Sequence, residues 1–342
     1  MTQADKTVRL GIIGVGDWGR NLLRNYARLR NCRINFICDS DDSNLKRASG
    51  LFPHLEVCKD FQKALSQNSV DAVIIATPPE SHFQVAKQAL LAGKHIFVEK
   101  PLVLNLKEGE ELCQLAEKQK KLLMVGHIMM YHAATRKLKE YIQKGELGQI
   151  YYIYATRVNL GKLRKNENAL YSFAPHDISL VCHLLDQVPV KVSATGNSYL
   201  QPGIEDVVFV TMHFPNQVMA HLHVSWLDPH KDRKVTIVGS KKMAVFDDTQ
   251  TSEKIWLYDK GVDSHFDYTT YGEYLSLRSG DILIPKIESS EPLELECKHF
   301  VECVAEGKTP LSDGREGLKV LKVLEAAQKS LDKGGQPVEI AD

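Results

Sequence analysis

Three glycines and an aspartate near the start of the chain have the spacing of a dinucleotide-binding turn. Gly14, Gly16 and Gly19 follow the apolar segment VRLGII, and Asp39 ends the next apolar segment. In such a turn the first glycine permits the tight bend, the second lets the backbone approach a pyrophosphate, and the third lets the next helix pack closely on the strand. The N–H groups at the start of that helix are free to donate to the phosphates. The alternative is a glycine turn in another kind of α/β protein.

Asp39 indicates which dinucleotide would bind. Its carboxylate would accept hydrogen bonds from the adenosine ribose hydroxyls and would repel a 2′-phosphate. The three residues after it include no arginine to offset that repulsion. We therefore predict NAD rather than NADP as the cofactor, with Asp17, Trp18 and Ser40 as further contacts.

Two more motifs lie at strand ends, where doubly wound sheets collect their ligands. One is ATPPESH, which contains Thr77, Pro78 and His82, and the other is VEKP, which contains Glu99 and Lys100. We expect all five residues to contact the cofactor. A lysine beside a bound nicotinamide can stabilise a developing alkoxide, and partial burial can lower its pKa and make it a proton-transfer group. An isolated Lys-Pro pair would more often be a solvated turn.

Together with a β-rich second half, these motifs resemble the Gfo/Idh/MocA family (glucose–fructose oxidoreductase, inositol dehydrogenase and relatives). The resemblance covers the whole chain, and the EKP tripeptide is its most specific element. It implies a Rossmann domain followed by a substrate domain with a large open sheet. It also implies that the protein oxidises or reduces a sugar or polyol carbon with tightly held NAD(P). The catalytic lysine and histidine of the family fall on Lys100 and on His176 in SFAPHD.

The sequence departs from the family near His176. Many members carry an acid four residues before the histidine and another three residues after it, where this chain has Ser172 and Ser179. Asp177 is the nearby acid, so the predicted catalytic residues are Lys100, His176 and Asp177. We place His176 at a helix start, where the positive end of the helix dipole favours a neutral imidazole that can accept a hydroxyl proton. A capping or structural histidine is the alternative.

The segment before His176 bears on the substrate. Arg157, Lys162, Arg164 and Lys165 are four cations in a chain with 43 basic and 43 acidic residues, and they could hold a diphosphate or a carboxylate. The alternative is a loop kept soluble by its charges. The run from LGK to NENALYSFAPHDIS resembles nucleotide-sugar 3-dehydrogenases, which oxidise C3 of UDP-N-acetylglucosamine, or of its uronic acid, to a 3-keto sugar for later amination. This resemblance favours the neutral sugar and a part in lipopolysaccharide or lipid A biosynthesis.

The expected substrate contacts come from this segment and from three positions outside it or at its end, which include the catalytic candidates Lys100 and His176. They are Lys100, Tyr131, Arg157, Asn159, Lys162, Asn168, Tyr171 and His176. His127, after the last Rossmann strand, is a further expected cofactor contact. The histidines come from separate elements without metal-ligand spacing, so we predict no metal. The rival functions are a cyclitol or aldose dehydrogenase and a non-catalytic NAD-binding sensor, and Lys100 and His176 argue against the sensor.

The elements that must position these residues change in kind along the chain. Up to Val125, short apolar runs alternate with amphipathic helical patterns, which is typical of βαβ units around a parallel sheet. The predicted strands are Val8–Gly14, Arg33–Asp39, Glu56–Cys58, Ala72–Thr77, His95–Glu99 and Leu122–Gly126. Asn105 is a predicted helix N-cap. From Gln149 to Asp259, alternating runs predict a mostly antiparallel open sheet with one helix, Pro175–Leu185, inserted near its start.

The fold class is therefore α/β, with an N-terminal Rossmann domain and a C-terminal α+β domain. We expect the NAD-binding domain at 1–125, with the C-terminal helices packing back on it, and the substrate and oligomerisation domain at 126–342. The resemblance implies that one face of the second sheet packs against another subunit, which gives a homodimer or homotetramer.

Composition limits the other partners. The balanced charge argues against nucleic acid, and no stretch of about 18 apolar residues suggests a membrane span. Seven cysteines without a CxxC pair are typical of reduced thiols, so we expect a cytoplasmic protein. We expect a nucleotide-sugar substrate, and a 2-keto acid as the co-oxidant if NADH stays bound.

Overall fold

The computed structural model describes residues 7–66, 70–161, 163–264 and 275–340, and the chain divides into two compact units. The first unit comprises Met1–Tyr131 and Ser290–Lys322, and the second comprises His132–Ser289 and Val323–Asp342. The first boundary thus falls at Tyr131, where the sequence suggested residue 125.

The secondary structure alternates in the first unit and is rich in strands in the second. The strands are β1 (Val8–Ile13), β2 (Cys32–Cys38), β3 (Glu56–Cys58), β4 (Ala72–Ile75), β5 (His95–Val98), β6 (Leu123–Val125), β7 (Ile150–Val158), β8 (Lys191–Asn197), β9 (Val207–His213), β10 (Met219–Ser225), β11 (Asp232–Gly239), β12 (Met243–Asp247), β13 (Ile255–Ser264), β14 (Leu275–Leu283) and β15 (Val338–Glu339). The helices are α1 (Asp17–Arg28), α2 (Asp42–Leu51), α3 (Phe61–Ser66), α4 (His82–Leu91), α5 (Leu106–Gln119), α6 (Ala133–Gln143), α7 (Ala169–Leu185), α8 (Pro292–Glu306) and α9 (Gly314–Asp332). Among the residues described, no helix has both the length and the apolar composition needed to cross a membrane.

The first unit is a six-stranded parallel sheet in the order β3-β2-β1-β4-β5-β6, which is the strand order of a Rossmann fold. Its central strands are continuous apolar runs because helices cover both faces, and all four residues of β4 are buried. Helix α8 packs beside α1 and contributes Leu293, Cys297 and Phe300 to the core of this unit. The predicted cap of α5 is confirmed, since the Asn105 side chain accepts a hydrogen bond from Glu108 N at 3.0 Å.

The second unit is a nine-stranded sheet in the order β14-β13-β12-β11-β7-β10-β9-β8-β15. The expected mostly antiparallel sheet is confirmed: β7 and β10 run parallel, whereas the other paired strands of this sheet in the described residues are antiparallel. Helix α7 packs on β7, β9 and β10. Along β7, Ile153, Ala155 and Arg157 are buried, whereas Tyr152 and Tyr154 on the opposite face are exposed. This alternation leaves one face of the sheet open in the single chain.

Candidate active site

The three glycines of the turn after β1 differ in the space around them, and only Gly16 has room for a ligand. Gly14 has a φ of +91°, and a Cβ there would lie 2.5 Å from the Ala76 backbone. A Cβ at Gly19 would overlap the carbonyl oxygen of Gly14. At Gly16 the nearest atom to such a Cβ is 3.8 Å away. The chain itself therefore requires Gly14 and Gly19, whereas Gly16 leaves open space through which a pyrophosphate can approach the backbone.

Asp39 follows β2 and is fixed beside that turn. Its Oδ2 accepts hydrogen bonds from Val15 N at 2.9 Å and from Asn44 Nδ2 at 3.3 Å, while Oδ1 accepts from Asp41 N at 2.9 Å. The residue is only half-buried, so its carboxylate can still receive ribose hydroxyls. The neighbouring Ser40 is exposed, as are Asp17 and Trp18 at the start of α1. These positions fit the adenosine and pyrophosphate end of a dinucleotide.

His82 joins two loops of the first unit. It is 1% exposed, and its Nδ1 and Nε2 lie 2.8 Å and 2.9 Å from the carbonyl oxygens of Pro101 and Thr77. A neutral ring can donate to only one of these oxygens at a time, and burial lowers the pKa of the ring. In place of the predicted cofactor contact, His82 fixes the loop of Thr77 and Pro78 against the loop that follows Lys100.

Glu99 connects the glycine turn after β1 with the EKP motif after β5. Its Oε1 accepts a hydrogen bond from Trp18 Nε1 at 2.5 Å, and its Oε2 accepts from Lys100 N at 3.2 Å. A Cβ at Gly126 would lie 3.0 Å from Oε2, so the glycine leaves room for this carboxyl. Burial raises the pKa of Glu99 to about 7, against the opposing effects of the Trp18 hydrogen bond and the Lys100 charge. Glu99 therefore ionises close to neutral pH.

His127, two residues after β6, is a buried polar side chain. It is 1% exposed, and neither ring nitrogen has a hydrogen-bond partner among the residues described. Burial, followed by the charge of Lys100, lowers its pKa to about 3, so the ring is neutral. An orphaned buried imidazole beside Lys100 is what a nicotinamide site would leave in the protein alone. This observation and the open face at Gly16 show that the residues present fit NAD.

Glu296 also belongs to this region, although no motif in the sequence marks it. It lies on α8 four residues before Phe300, whose ring packs against Phe97 with 5.8 Å between centroids. Phe97 lies two residues before Glu99, so the helix and strand periodicities point Glu296 toward Glu99. It is fully buried, and neither carboxylate oxygen has a hydrogen-bond partner among the described residues. Burial and the neighbouring Glu99 raise its pKa well above the usual range. The available signal was a glutamate on the apolar face of a helix.

In the second unit, the helix that carries His176 begins earlier than predicted. Helix α7 starts at Ala169, with the Asn168 side chain accepting from Tyr171 N at 3.1 Å, and Pro175 lies inside it. The predicted helix start at Pro175 was wrong, because the stronger N-cap lies seven residues earlier. His176 thus lies beyond the first turn of α7, where the helix dipole no longer favours a neutral ring.

Asp177 and Arg157 form a buried ion pair. Arg157 Nε and Nη2 donate to Asp177 Oδ2 and Oδ1 at 2.7 Å and 2.8 Å, and the two residues are 6% and 1% exposed. The planar guanidinium therefore meets the carboxylate with two parallel hydrogen bonds. The sequence predicted Arg157 as a substrate contact and Asp177 as catalytic, and the structure instead engages each with the other. Nothing in the spacing of 20 residues indicated this pair.

The other predicted substrate contacts have mixed environments. Tyr131 is 5% exposed and its hydroxyl lies 2.8 Å from Ser312 Oγ, so it is a core residue of the first unit. Asn168 caps α7 and also donates to Glu205 and Gln328. Asn159 and Tyr171 are half-buried, and burial raises the pKa of Tyr171 to about 12. Lys162 lies outside the described residues.

The histidines do not assemble into a metal centre in the part of the chain that the structure describes. No group of three or more His, Cys, Asp and Glu side chains there is arranged to hold an ion. His132, for example, caps α6 by accepting from Ala134 N at 3.0 Å, and its Nε2 lies 3.3 Å from Asp248.

Comparisons with known proteins agree with a Rossmann domain followed by a second domain. Residues 8–127 match the model of an oxidoreductase family with an NAD-binding Rossmann fold, and residues 135–245 match the GFO/IDH/MocA C-terminal domain. The chain is 27% identical to UDP-N-acetylglucosamine 3-dehydrogenase of Acidithiobacillus ferrooxidans, over 92% of this chain and 94% of that protein. It is also 27% identical to scyllo-inositol 2-dehydrogenase (NAD+) of Bacillus subtilis, over 97% and 96%. A solved structure of the Acidithiobacillus enzyme shares the fold, with a TM-score of 0.80, 24% identity, and coverage of 96% and 98%.

Proposed function

The chain belongs to the Gfo/Idh/MocA family of NAD-binding oxidoreductases, and from this premise we propose that it oxidises the C3 hydroxyl of UDP-N-acetylglucosamine to the 3-keto sugar. The observation that carries the redox part is the neighbourhood of Lys100. Glu99, which accepts a hydrogen bond from Trp18, also accepts from the backbone N–H of Lys100, and burial together with the charge of Lys100 lowers the pKa of the orphaned His127. A sensor that only binds NAD needs neither Lys100 nor His176.

NAD, when bound, supplies the hydride acceptor. His176 takes the proton of the reacting hydroxyl as the hydride leaves the carbon, so the alcohol becomes a ketone. Lys100 places a positive charge beside the oxygen on which negative charge develops. Asp39 selects NAD over NADP, because its fixed carboxylate would lie against a 2′-phosphate.

Two features support a nucleotide sugar as the substrate. The segment between β7 and α7 carries Arg164 and Lys165, whose side chains are exposed and can meet a diphosphate, although Arg164 Nε also pairs with Glu167 at 3.0 Å. The relative named UDP-N-acetylglucosamine 3-dehydrogenase matches this chain over nearly its whole length. The relative named scyllo-inositol 2-dehydrogenase is equally similar, so a cyclitol is the main rival, and the UDP-linked uronic acid is a second.

Deuterium-labelled substrates test both the substrate and the carbon. The enzyme is mixed in single turnover with NAD+ and with UDP-N-acetylglucosamine carrying deuterium at C3 or at C4, and the nicotinamide product is analysed by mass spectrometry. We expect deuterium in NADH from the C3-labelled sugar alone. Parallel reactions contain the uronic acid derivative, scyllo-inositol or glucose, with and without a 2-keto acid to reoxidise NADH. Turnover of scyllo-inositol but of no UDP-sugar would overturn the proposed substrate.

Two variants test the catalytic assignment. We expect Lys100→Ala and His176→Asn to lose turnover while they still bind NADH, whereas Lys107→Ala, a change at an exposed lysine at the start of α5, should leave both unchanged. Near-normal turnover in either variant would remove that residue from its proposed role.

A second copy of the chain would cover the open face of the nine-stranded sheet. Tyr152 and Tyr154 stack there, Phe209 stacks on His223 with 4.5 Å between centroids, and Met219 is exposed beside them. A contiguous apolar face of this kind marks an interface, and a self-complementary face gives a dimer with two-fold symmetry. Light scattering should show that Tyr154→Lys lowers the molecular mass to that of a monomer. Leu51→Lys, on the exposed side of α2, is the control. A monomeric native protein would overturn this part of the proposal.

A further inference from the structure

We propose that Arg157 is a positioning residue that holds His176 in place through the carboxylate of Asp177, and that it does not contact the substrate. This inference rests on the proposed function, because it assigns Arg157 a part in the reaction of His176. Three features of the second unit support it: the geometry of the ion pair, the weak point in α7 that the pair restrains, and the separate pairing of the neighbouring arginine.

The geometry leaves little of Arg157 for a substrate. Its Nε and Nη2 each donate to one oxygen of Asp177, at 2.7 Å and 2.8 Å, and the residue is 6% exposed. A substrate diphosphate would have to displace a carboxylate that is already aligned with the guanidinium fork. Lysine cannot reproduce two parallel hydrogen bonds, so the arrangement depends on arginine specifically.

The ion pair restrains α7 where the helix is weakest. Pro175 has no N–H, so it cannot donate to the carbonyl of Tyr171 one turn earlier, and its ring crowds that turn. His176 comes directly after this point. Asp177, the residue after His176, is held to β7 by its ion pair with Arg157. Ser179 Oγ donates to the His176 carbonyl at 2.9 Å. Contacts of Asp177 and Ser179 thus restrain the backbone of His176. They offset the hydrogen bond that α7 loses at Pro175.

The arginine next to Arg157 in the sheet, Arg233, pairs with a different carboxylate. Arg233 lies opposite Arg157 in the register of β7 and β11, and its Nη1 is 3.6 Å from Asp248 Oδ2. Burial and the charge of Arg157 lower the pKa of Arg233, while Asp248 also lies 3.3 Å from His132. Arg157 is buried with Asp177, whereas the side chain of Arg233 is 37% exposed. Removal of either charge of the buried pair would leave the other uncompensated. The test accordingly uses substitutions that keep the charge or the shape.

Steady-state kinetics separate positioning from substrate contact. In Arg157→Lys we expect kcat to fall by roughly 10- to 100-fold, since a small displacement of a catalytic group costs this much, while KM for the UDP-sugar stays within about twofold. A higher KM with an unchanged kcat would overturn the proposal, because that is the signature of a lost substrate contact. Arg9→Lys is the matched control. Arg9 makes the same two hydrogen bonds to Asp71, at 3.1 Å and 2.8 Å, but is exposed and belongs to the first unit.

A second measurement does not depend on the proposed reaction. The ring nitrogens of ¹⁵N-labelled histidine are followed by NMR in the full chain, and His176→Asn identifies the signal of His176. We expect this signal to shift in Arg157→Lys and in Asp177→Asn, with the double variant resembling the single ones because the two side chains act as a unit. Arg9→Lys should leave it unchanged. Thermal unfolding shows which variants are folded, and Asp177→Asn keeps the shape of the carboxylate if Arg157→Lys is unstable.

The two measurements distinguish the possible failures. An unshifted His176 signal in the folded variants would overturn the positioning role, whatever the substrate. If the native enzyme oxidises no UDP-sugar, the proposed function fails, and the His176 signal still decides whether Arg157 holds this residue.

Discussion

The indole N–H of Trp18 donates to Glu99 Oε1 at 2.5 Å, which joins the glycine turn after β1 to the EKP motif after β5. The other carboxylate oxygen accepts from the backbone N–H of Lys100 at 3.2 Å. One carboxyl therefore contacts both the exposed aromatic ring at the start of α1 and the proposed catalytic lysine. The charge of Glu99 should affect both neighbours.

The first prediction is that Trp18 reports the ionisation of Glu99. Burial raises the pKa of Glu99 from 4.5 to about 7, so the carboxylate forms, and its hydrogen bond to Trp18 strengthens, as pH rises through about 7. We expect tryptophan fluorescence to titrate near pH 7 in the native protein and not in Glu99→Gln. The chain has three tryptophans, and Trp18→Phe identifies the contribution of Trp18. Persistence of the titration in Glu99→Gln would show that another group causes it.

The raised pKa of Glu99 also predicts how the stability of the protein depends on pH. Because the folded pKa of Glu99 lies above the unfolded value, the folded state binds more protons between pH 4.5 and about 7. The stabilising contribution of Glu99 is present below pH 4.5 and is lost as pH rises through about 7. Denaturant unfolding should therefore show the native protein losing free energy of unfolding over this window relative to Glu99→Gln. A constant difference between the two proteins would contradict the raised pKa.

The second prediction concerns the buried carboxyl of Glu296. Neither of its oxygens has a hydrogen-bond partner among the described residues, and a buried unsatisfied polar group costs about 1–3 kcal/mol. Glu296→Met, which fills a similar volume without polar atoms, should raise the free energy of unfolding by about this amount. Glu296→Gln keeps a polar group and should give no such gain. Destabilisation by Glu296→Met in chemical denaturation would mean that the carboxyl serves a partner.

The third prediction is that Asp39 sets the preference for NAD. Its carboxylate is held by Val15 N, Asn44 and Asp41 N beside the glycine turn. In Asp39→Ala the negative charge that repels a 2′-phosphate is gone, so the ratio of NADH to NADPH affinity should fall. Asp42→Ala removes an exposed carboxylate that pairs with Lys59, and should leave the ratio unchanged. Fluorescence titration with both cofactors measures it, and an unchanged ratio in Asp39→Ala would remove Asp39 from this role.

The sequence predicts the first unit well because its signals are local. Each strand there ends within two residues of its predicted bound, and the cap at Asn105 lies where it was expected. The glycine turn and the EKP motif are also contiguous. In each case the pattern and the structure involve the same few residues, so periodicity and spacing are sufficient.

The parts that could not be predicted depend on contacts between distant segments. Arg157 and Asp177 each look like available charged residues, and only the packing of α7 on β7 brings them together. Pro175 resembled a helix start because proline favours the first turn, but Asn168 makes the better cap and Pro175 remains in the interior. Tyr131 was expected at the substrate, yet Ser312, far along the chain, holds its hydroxyl in the core.

The final prediction decides between two roles for Asn168, the substrate contact suggested by the sequence and the helix cap seen in the structure. Its Oδ1 accepts from Tyr171 N, and its Nδ2 donates to Glu205 at 2.6 Å and to Gln328 at 3.0 Å. Asn168→Ala should lower the free energy of unfolding by about 0.5–2 kcal/mol, because α7 loses its N-cap. Asn168→Ser restores the capping oxygen and should recover part of this loss. KM for the UDP-sugar should be unchanged in Asn168→Ser, since the side chain is occupied by the protein. A raised KM with unaltered stability in both variants would instead return Asn168 to the substrate.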